Sequence, residues 1–331
     1  MDDTRRAALR RGALQALVRA NRPELAAAEP EIADLGFGPA MAHSGHAVVL
    51  VESDPERALG PALLWSERAG ADRLELWARS GAGQLARRAG YFRRPPEVWE
   101  VAGTELVPAP AVPVRRPPDL DPDALTFAAV LREAGALVVD DHGVLVGELD
   151  GLEVARAQAV GGEAWLEVGV GQADREFDQA FHGTVSSVQR IRRVMDVVRQ
   201  HRRAGAPHHP LNQLARERWL RAHVVAHPDL VGARELAPAP PLRPRAGLTQ
   251  ALPAPAVGVD LEGHPVVIVI SVGVDLDLVP EAADLRDRSD PAAGLVIVVP
   301  ERDRIPPLER LVARLERDAH LVGVVPPWAP G

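Results

Sequence analysis

Two proline-rich stretches limit what this chain can fold into. Residues 107–122 read VPAPAVPVRRPPDLDP, and residues 237–256 read APAPPLRPRAGLTQALPAPA. Proline has no N–H to donate and holds φ near −65°, so neither stretch suits a central strand or a helix interior. Both predict extended linkers. They divide the 331 residues into three segments, 1–116, 117–236 and 237–331. No internal repeat of fixed period connects them.

Each segment alternates strand-like and helix-like runs, which predicts an α/β protein. The first opens on an amphipathic helix with Leu9, Leu14, Leu17 and Val18 facing inward. A βαβα pattern and a mainly parallel or mixed sheet follow: AVVLVE, a helix from Pro55 capped by Asp54, then RLELWA with Leu74 and Leu76 on its buried face. The middle segment predicts an α+β unit, with a helix over 124–134, short acidic strands and then long arginine-rich helices. The last predicts a small α/β unit, with strands at 257–261, 266–270 and 295–299 and helices at 278–287 and 307–317.

Composition removes several chemistries. The chain has no cysteine, which excludes thiol nucleophiles, disulfides and cysteine-ligated metal. It also has no lysine, so all 38 basic residues are arginine. That excludes the phosphate-loop lysine and Schiff-base catalysis. No run reaches the roughly 20 apolar residues of a membrane helix, and the N-terminus lacks a secretory pattern. These features predict a cytoplasmic protein with no membrane partner.

Charge is distributed in blocks. Between Asp119 and Asp178 there are 14 acidic residues against three arginines; between Thr184 and Ala222 there are nine arginines against Asp196 and Glu217. Such blocks either pair with each other or jointly face a phosphate-bearing partner such as nucleic acid, with a metal on the acidic side. The densest stretch, residues 140–177, predicts short strands, a glycine turn and a helix start. In 165–170, Leu166, Val168 and Val170 share one face and Glu167 the other. His223 and His227 have the spacing of a zinc helix, but Val224 stands where a general base would be. Asp275 and Asp277 are expected to cap the helix that follows them.

Four resemblances follow from these residues. Asp150 or Glu153 on one strand and Glu167 on the next are similar to the acidic spacing of restriction-endonuclease-like PD-(D/E)XK nucleases. That implies carboxylates able to hold Mg²⁺ or Mn²⁺ and activate water. The family's lysine would fall at Gly169, and the C-terminal segment repeats the topology with apolar residues at the acidic positions, so a catalytically degenerate scaffold is implied. Glu167-Val168-Gly169-Val170-Gly171 resembles the first motif of S-adenosylmethionine methyltransferases. Residues 67–92 resemble the second half of a Gcn5-type acetyltransferase, whose arginine–glycine-rich turn finds no counterpart upstream. Finally, GLEVAR, LEVGVG, DRE, HPLN and ERWLR together are similar to a set of conserved bacterial proteins. That resemblance implies only that function lies at Glu153, Glu167, Asp174, Arg175, His209, Asn212 and Arg216; the nuclease-like spacing makes Glu153 and Glu167 the expected metal ligands, and Arg175, His209, Asn212 and Arg216 are the expected anion site. The rival expectation is a structural or protein-interaction module whose acidic and basic blocks pair internally.

Overall fold

A computed structural model describes residues 3–26, 30–172, 174–176, 185–204 and 209–329. The chain is α/β, with three sheets of six, four and five strands. It divides into two compact units, neither continuous in sequence. The first comprises residues 1–114, 275–284 and 305–319; the second comprises 115–274, 285–304 and 320–331.

In the first unit, α1 (Asp3–Asn21) and the short α2 (Pro23–Ala26) precede β1 (Glu31–Asp34), β2 (Pro39–His43) and β3 (His46–Val51). Then come α3 (Leu59–Arg68), β4 (Arg73–Ala78), α4 (Ala82–Ala89), β5 (Glu97–Ala102) and β6 (Glu105–Pro108). The strands lie in sequence order; β3, β4 and β5 run parallel and the outer pairings are antiparallel. Leu14, Leu17 and Val18 pack on Met41, Val48, Leu50 and Trp77, whereas Leu9 is exposed, against expectation.

Strand β4 corrects a second expectation. Its alternation predicts one wet face, yet Glu75 and Trp77 are both fully buried. A strand between two parallel neighbours is covered on both sides, so its polar residue needs partners. Glu75 takes the Arg22 guanidinium through both oxygens at 2.9 and 2.8 Å, and also His46 and the Trp77 indole. Burial works to raise this carboxyl's pKa, but Arg22 and Trp77 outweigh it and hold the group below its ordinary value.

The start of α3 is a third difference. Asp54 adopts φ 46° and makes no side-chain cap; a 3₁₀ turn, Pro55–Arg57, intervenes. The Gly60 N–H instead donates to the Asp277 carboxylate at 3.0 Å. The 275–284 stretch is further fixed by Asp284, which accepts from Arg87 and Arg88 of α4.

The second unit holds two sheets. Short helices α5 (Pro122–Leu125) and α6 (Ala128–Ala134) replace the single helix expected over 124–134, breaking at Thr126 and Phe127. Strands β7 (Leu137–Asp140), β8 (Leu145–Leu149), β9 (Leu152–Val160) and β10 (Glu163–Val168) form an antiparallel meander. Against it packs α7 (Ser187–His201), whose Ile191, Met195 and Val198 are fully buried as their spacing predicts. The α8 helix (Arg216–Ala226) begins after a 3₁₀ turn at Pro210–Asn212 and Ala215 at φ 44°.

The five-stranded sheet contains β11 (Ala233–Pro238), β12 (Ala254–Asp260), β13 (Pro265–Ile270), β14 (Gly294–Pro300) and β15 (His320–Val324) in that order. Strands β13, β14 and β15 are parallel and apolar, and Ile268, Ile270 and Val298 pack with Leu220 and Val224 of α8. Helix α9 (Leu278–Ser289) follows β13 and helix α10 (Pro306–Ala313) follows β14 in sequence. The proline stretches run without helix or strand over 109–121 and 239–253, but both are shorter than predicted: 107–108 belong to β6, 237–238 to β11, and 254–256, with Pro255, to β12, which pairs on both sides within its sheet. Among the described residues no helix is long and apolar enough to cross a membrane.

Candidate functional site

The central acidic strands are placed by a tight hairpin. β8 and β9 are joined by Asp150 and Gly151 alone, with φ of 48° and 74°. Positive φ at both central residues is the turn whose twist matches paired strands, and Asp-Gly is its favoured sequence. Across this hairpin Glu148 and Glu153 are direct partners, beside a register shift at Gly147. Both are buried, at 1% and 2% exposure. Like charges opposite each other on a sheet repel, and burial adds a desolvation cost. Each carboxylate is therefore met by two arginines.

Arg156 grips Glu153 with two hydrogen bonds of 2.9 Å, and Arg175 adds a third at 2.7 Å. Arg175 also stands 3.5 Å from Glu167, whose other oxygen accepts a long bond from the Trp165 indole at 3.4 Å. Arg156, Glu153, Arg175 and Glu167 thus form a line of alternating charge. Burial works to lower the pKa of Arg156, but its bonds to Glu153 raise it. Glu148 sits between Arg218 at 3.2 Å and Arg221 at 2.5 Å, all three buried. Burial pushes the Glu148 carboxyl up; Arg221 and Arg218 outweigh that and hold it below the ordinary range.

The turn after β10 sets Arg175. Gly169 has φ 143°, and a Cβ there would lie 2.8 Å from Asp174 and 2.9 Å from the Arg175 backbone. The glycine therefore serves a close approach that brings Arg175 back over the sheet. Asp174 itself is exposed. The helix predicted beyond this turn continues into residues outside those described.

His209, Asn212 and Arg216 form a separate group. His209 stacks on His201 at 3.8 Å and its ring accepts the Leu211 N–H. Arg216 donates to the Asn212 carbonyl at 3.1 Å and lies over the Trp328 ring. Burial, then the nearby Arg302, lower the Arg216 pKa. His208, its sequence neighbour, lies outside the described residues. His223 and His227 lie 4.9 Å apart, but α8 ends at Ala226, so only the first is on the helix.

A metal at Glu153 would have to displace two guanidiniums from oxygens they already fill. Among the described residues no group of three or more His, Asp or Glu is close enough to hold a metal ion. The acidic and basic blocks do pair in part, Glu148 with Arg218 and Arg221.

Sequence reasoning missed Glu148 and its arginines as a centre. The available signal was Arg218 and Arg221 three apart on one helix face, able to reach the same acid. It also missed that a turn, Pro55–Arg57, leads into α3, whose second residue is Gly60. There the helix meets the Asp277 carboxylate, not open solvent. Asp277 is fully enclosed and its second oxygen has no hydrogen-bond partner; burial pushes this carboxyl up to about 7.

No protein-family model, curated protein or solved structure matches this chain.

Proposed function

We propose that this protein is a catalytically silent binding module for a phosphate-bearing partner. The observation that carries the reading is the double occupation of Glu153. Hydrolysis in the nuclease-like arrangement needs a carboxylate free to hold a metal and polarise water, and here both oxygens are bonded to Arg156 and Arg175. Such a carboxylate works as a structural anchor. The arginines left over point the other way. Arg193 and Arg203 are exposed on and just beyond α7, in a chain where Asp196 is engaged by Arg199. A phosphate backbone is the natural counterpart of an outward arginine face, and its binding is steeply salt-dependent.

Titration of labelled duplex DNA in the presence of Mg²⁺, at about 50 and about 200 mM salt, tests this. The expected result is binding that weakens at the higher salt and in Arg193→Gln/Arg203→Gln, with the DNA left intact. Cleavage products that disappear in Glu167→Gln would make the protein an enzyme. Absence of binding at either salt would favour the internally paired interaction module.

A further inference from the structure

We propose that the buried guanidinium cluster of the second unit is a binding site for one small dianionic oxyanion of the phosphate or sulfate class, held by Arg218, Arg221 and Arg245. The inference is independent of the outward arginine face.

Unused hydrogen-bond donors are the first ground. The Nε of Arg218, the Nε of Arg221 and both Nε and Nη2 of Arg245 are shut off from solvent without an acceptor. Arg245 Nε comes no nearer than 3.7 Å to Asp141. Buried polar groups are normally bonded to protein or to an enclosed water or ion, and each guanidinium N–H left bare is costly. Here the bare donors belong to three residues from two parts of the chain. Arg218 and Arg221 are on α8; Arg245 is on the irregular stretch 239–253, whose Leu248 carbonyl accepts the Ala215 N–H just before α8. Arg218 and Arg221 are also held together, since each bonds one oxygen of Glu148.

Charge is the second ground. Arg202 joins the cluster, but it donates to the carbonyls of Asp150, Leu211, Leu214 and Ala215. Four guanidiniums thus face two ion-paired carboxylates, Glu148 and Asp141. The other acids nearby, Asp150 and Glu217, have their carboxyls pushed up by burial against the pull of neighbouring arginines. Burial, then Arg218, takes Arg202 down to about 9 against the pull of Asp150, and burial, then Arg218 and Arg221, takes Arg245 to about 10. A guanidinium stays charged at neutral pH, so each of these groups offers a charge as well as N–H donors. Several N–H groups in planar forks fit a tetrahedral dianion better than a halide.

Because the donors are enclosed, such an ion exchanges slowly and should travel with the protein. The test is ion chromatography of acid-denatured protein purified from phosphate buffer and desalted into chloride. Thermal unfolding against phosphate, sulfate and chloride at matched ionic strength accompanies it. We expect close to one equivalent of oxyanion per chain, and an unfolding temperature that rises and saturates with phosphate or sulfate. Arg245→Gln should abolish both with the far-UV circular dichroism unchanged, and Arg245→Lys, which keeps the charge but not the fork, should weaken both. Three results would overturn the proposal: no released oxyanion with equal response to all salts, stabilisation by chloride alone, or an oxyanion response that survives in Arg245→Gln.

Discussion

At the scale of single residues, the molecule is defined by carboxylates whose environments drive them apart. Glu148 is buried yet held ionised by Arg218 and Arg221. Its pKa lies below the unfolded value, so its contribution is present at neutral pH and lost as acid protonates it. Removing one partner of a buried ion pair strands the others, so Glu148→Gln should cost about 3–5 kcal/mol in denaturant unfolding. Glu167→Gln, partly exposed with its bonds at 3.4 and 3.5 Å, should stay within about 1 kcal/mol. Asp277 behaves oppositely. Burial raises it to about 7, so the folded state holds its proton more tightly than the unfolded chain does. Stability therefore falls as pH rises from about 4 to about 7, by at most about 1.4 kcal/mol per pH unit from this group. Asp277→Asn still offers Gly60 an acceptor oxygen without the charge. Its unfolding midpoint should decline less across that window and exceed the wild type at pH 8. A parallel decline in both proteins would remove Asp277 as the cause.

At the scale of elements, the β8–β9 hairpin shows what the sequence makes legible and what it hides. Asp150-Gly151 between two apolar runs is a strong hairpin signal, and the structure uses both residues at positive φ. What local pattern cannot reveal is that Gly151 also lies against another element: a Cβ there would come 2.2 Å from the Arg218 backbone of α8. Gly151→Ala should therefore cost more than the roughly 1 kcal/mol of left-handed strain alone, read as a drop in unfolding temperature. A cost no larger than that would mean α8 packs more loosely here. The other misreadings have the same origin. Trp77 and Glu75 look half-exposed by alternation, because the sequence does not say that β4 is covered on both faces. The α3 cap was sought at neighbouring Asp54, whereas the group that meets the helix is 217 residues away. Strand positions and the core stripe of α7 were legible because they follow from short-range periodicity. Glu153 and Glu167, expected as metal ligands, and Arg175, expected in an anion site, are brought together in the structure, and their mutual pairing depends on the backbone reversal at Gly169.

At the scale of the whole molecule, two discontinuous units share one habit: buried acids bound by arginine, in a chain without lysine. Glu75 with Arg22, Asp284 with Arg87 and Arg88, Glu148 with Arg218 and Arg221, and Glu153 with Arg156 and Arg175 all follow it. Planar guanidinium forks match carboxylates through two bonds and remain charged when buried. Under the proposed function, the acidic strands serve as a scaffold. The central claim is that Glu153 is locked, and calorimetric titration of Mn²⁺ into the wild type and Glu167→Gln tests it most directly. The account predicts no saturable heat in either protein, at neutral pH and low ionic strength. Saturable binding of one Mn²⁺ per chain to the wild type, lost in a folded Glu167→Gln, would contradict it and return the central strands to metal chemistry.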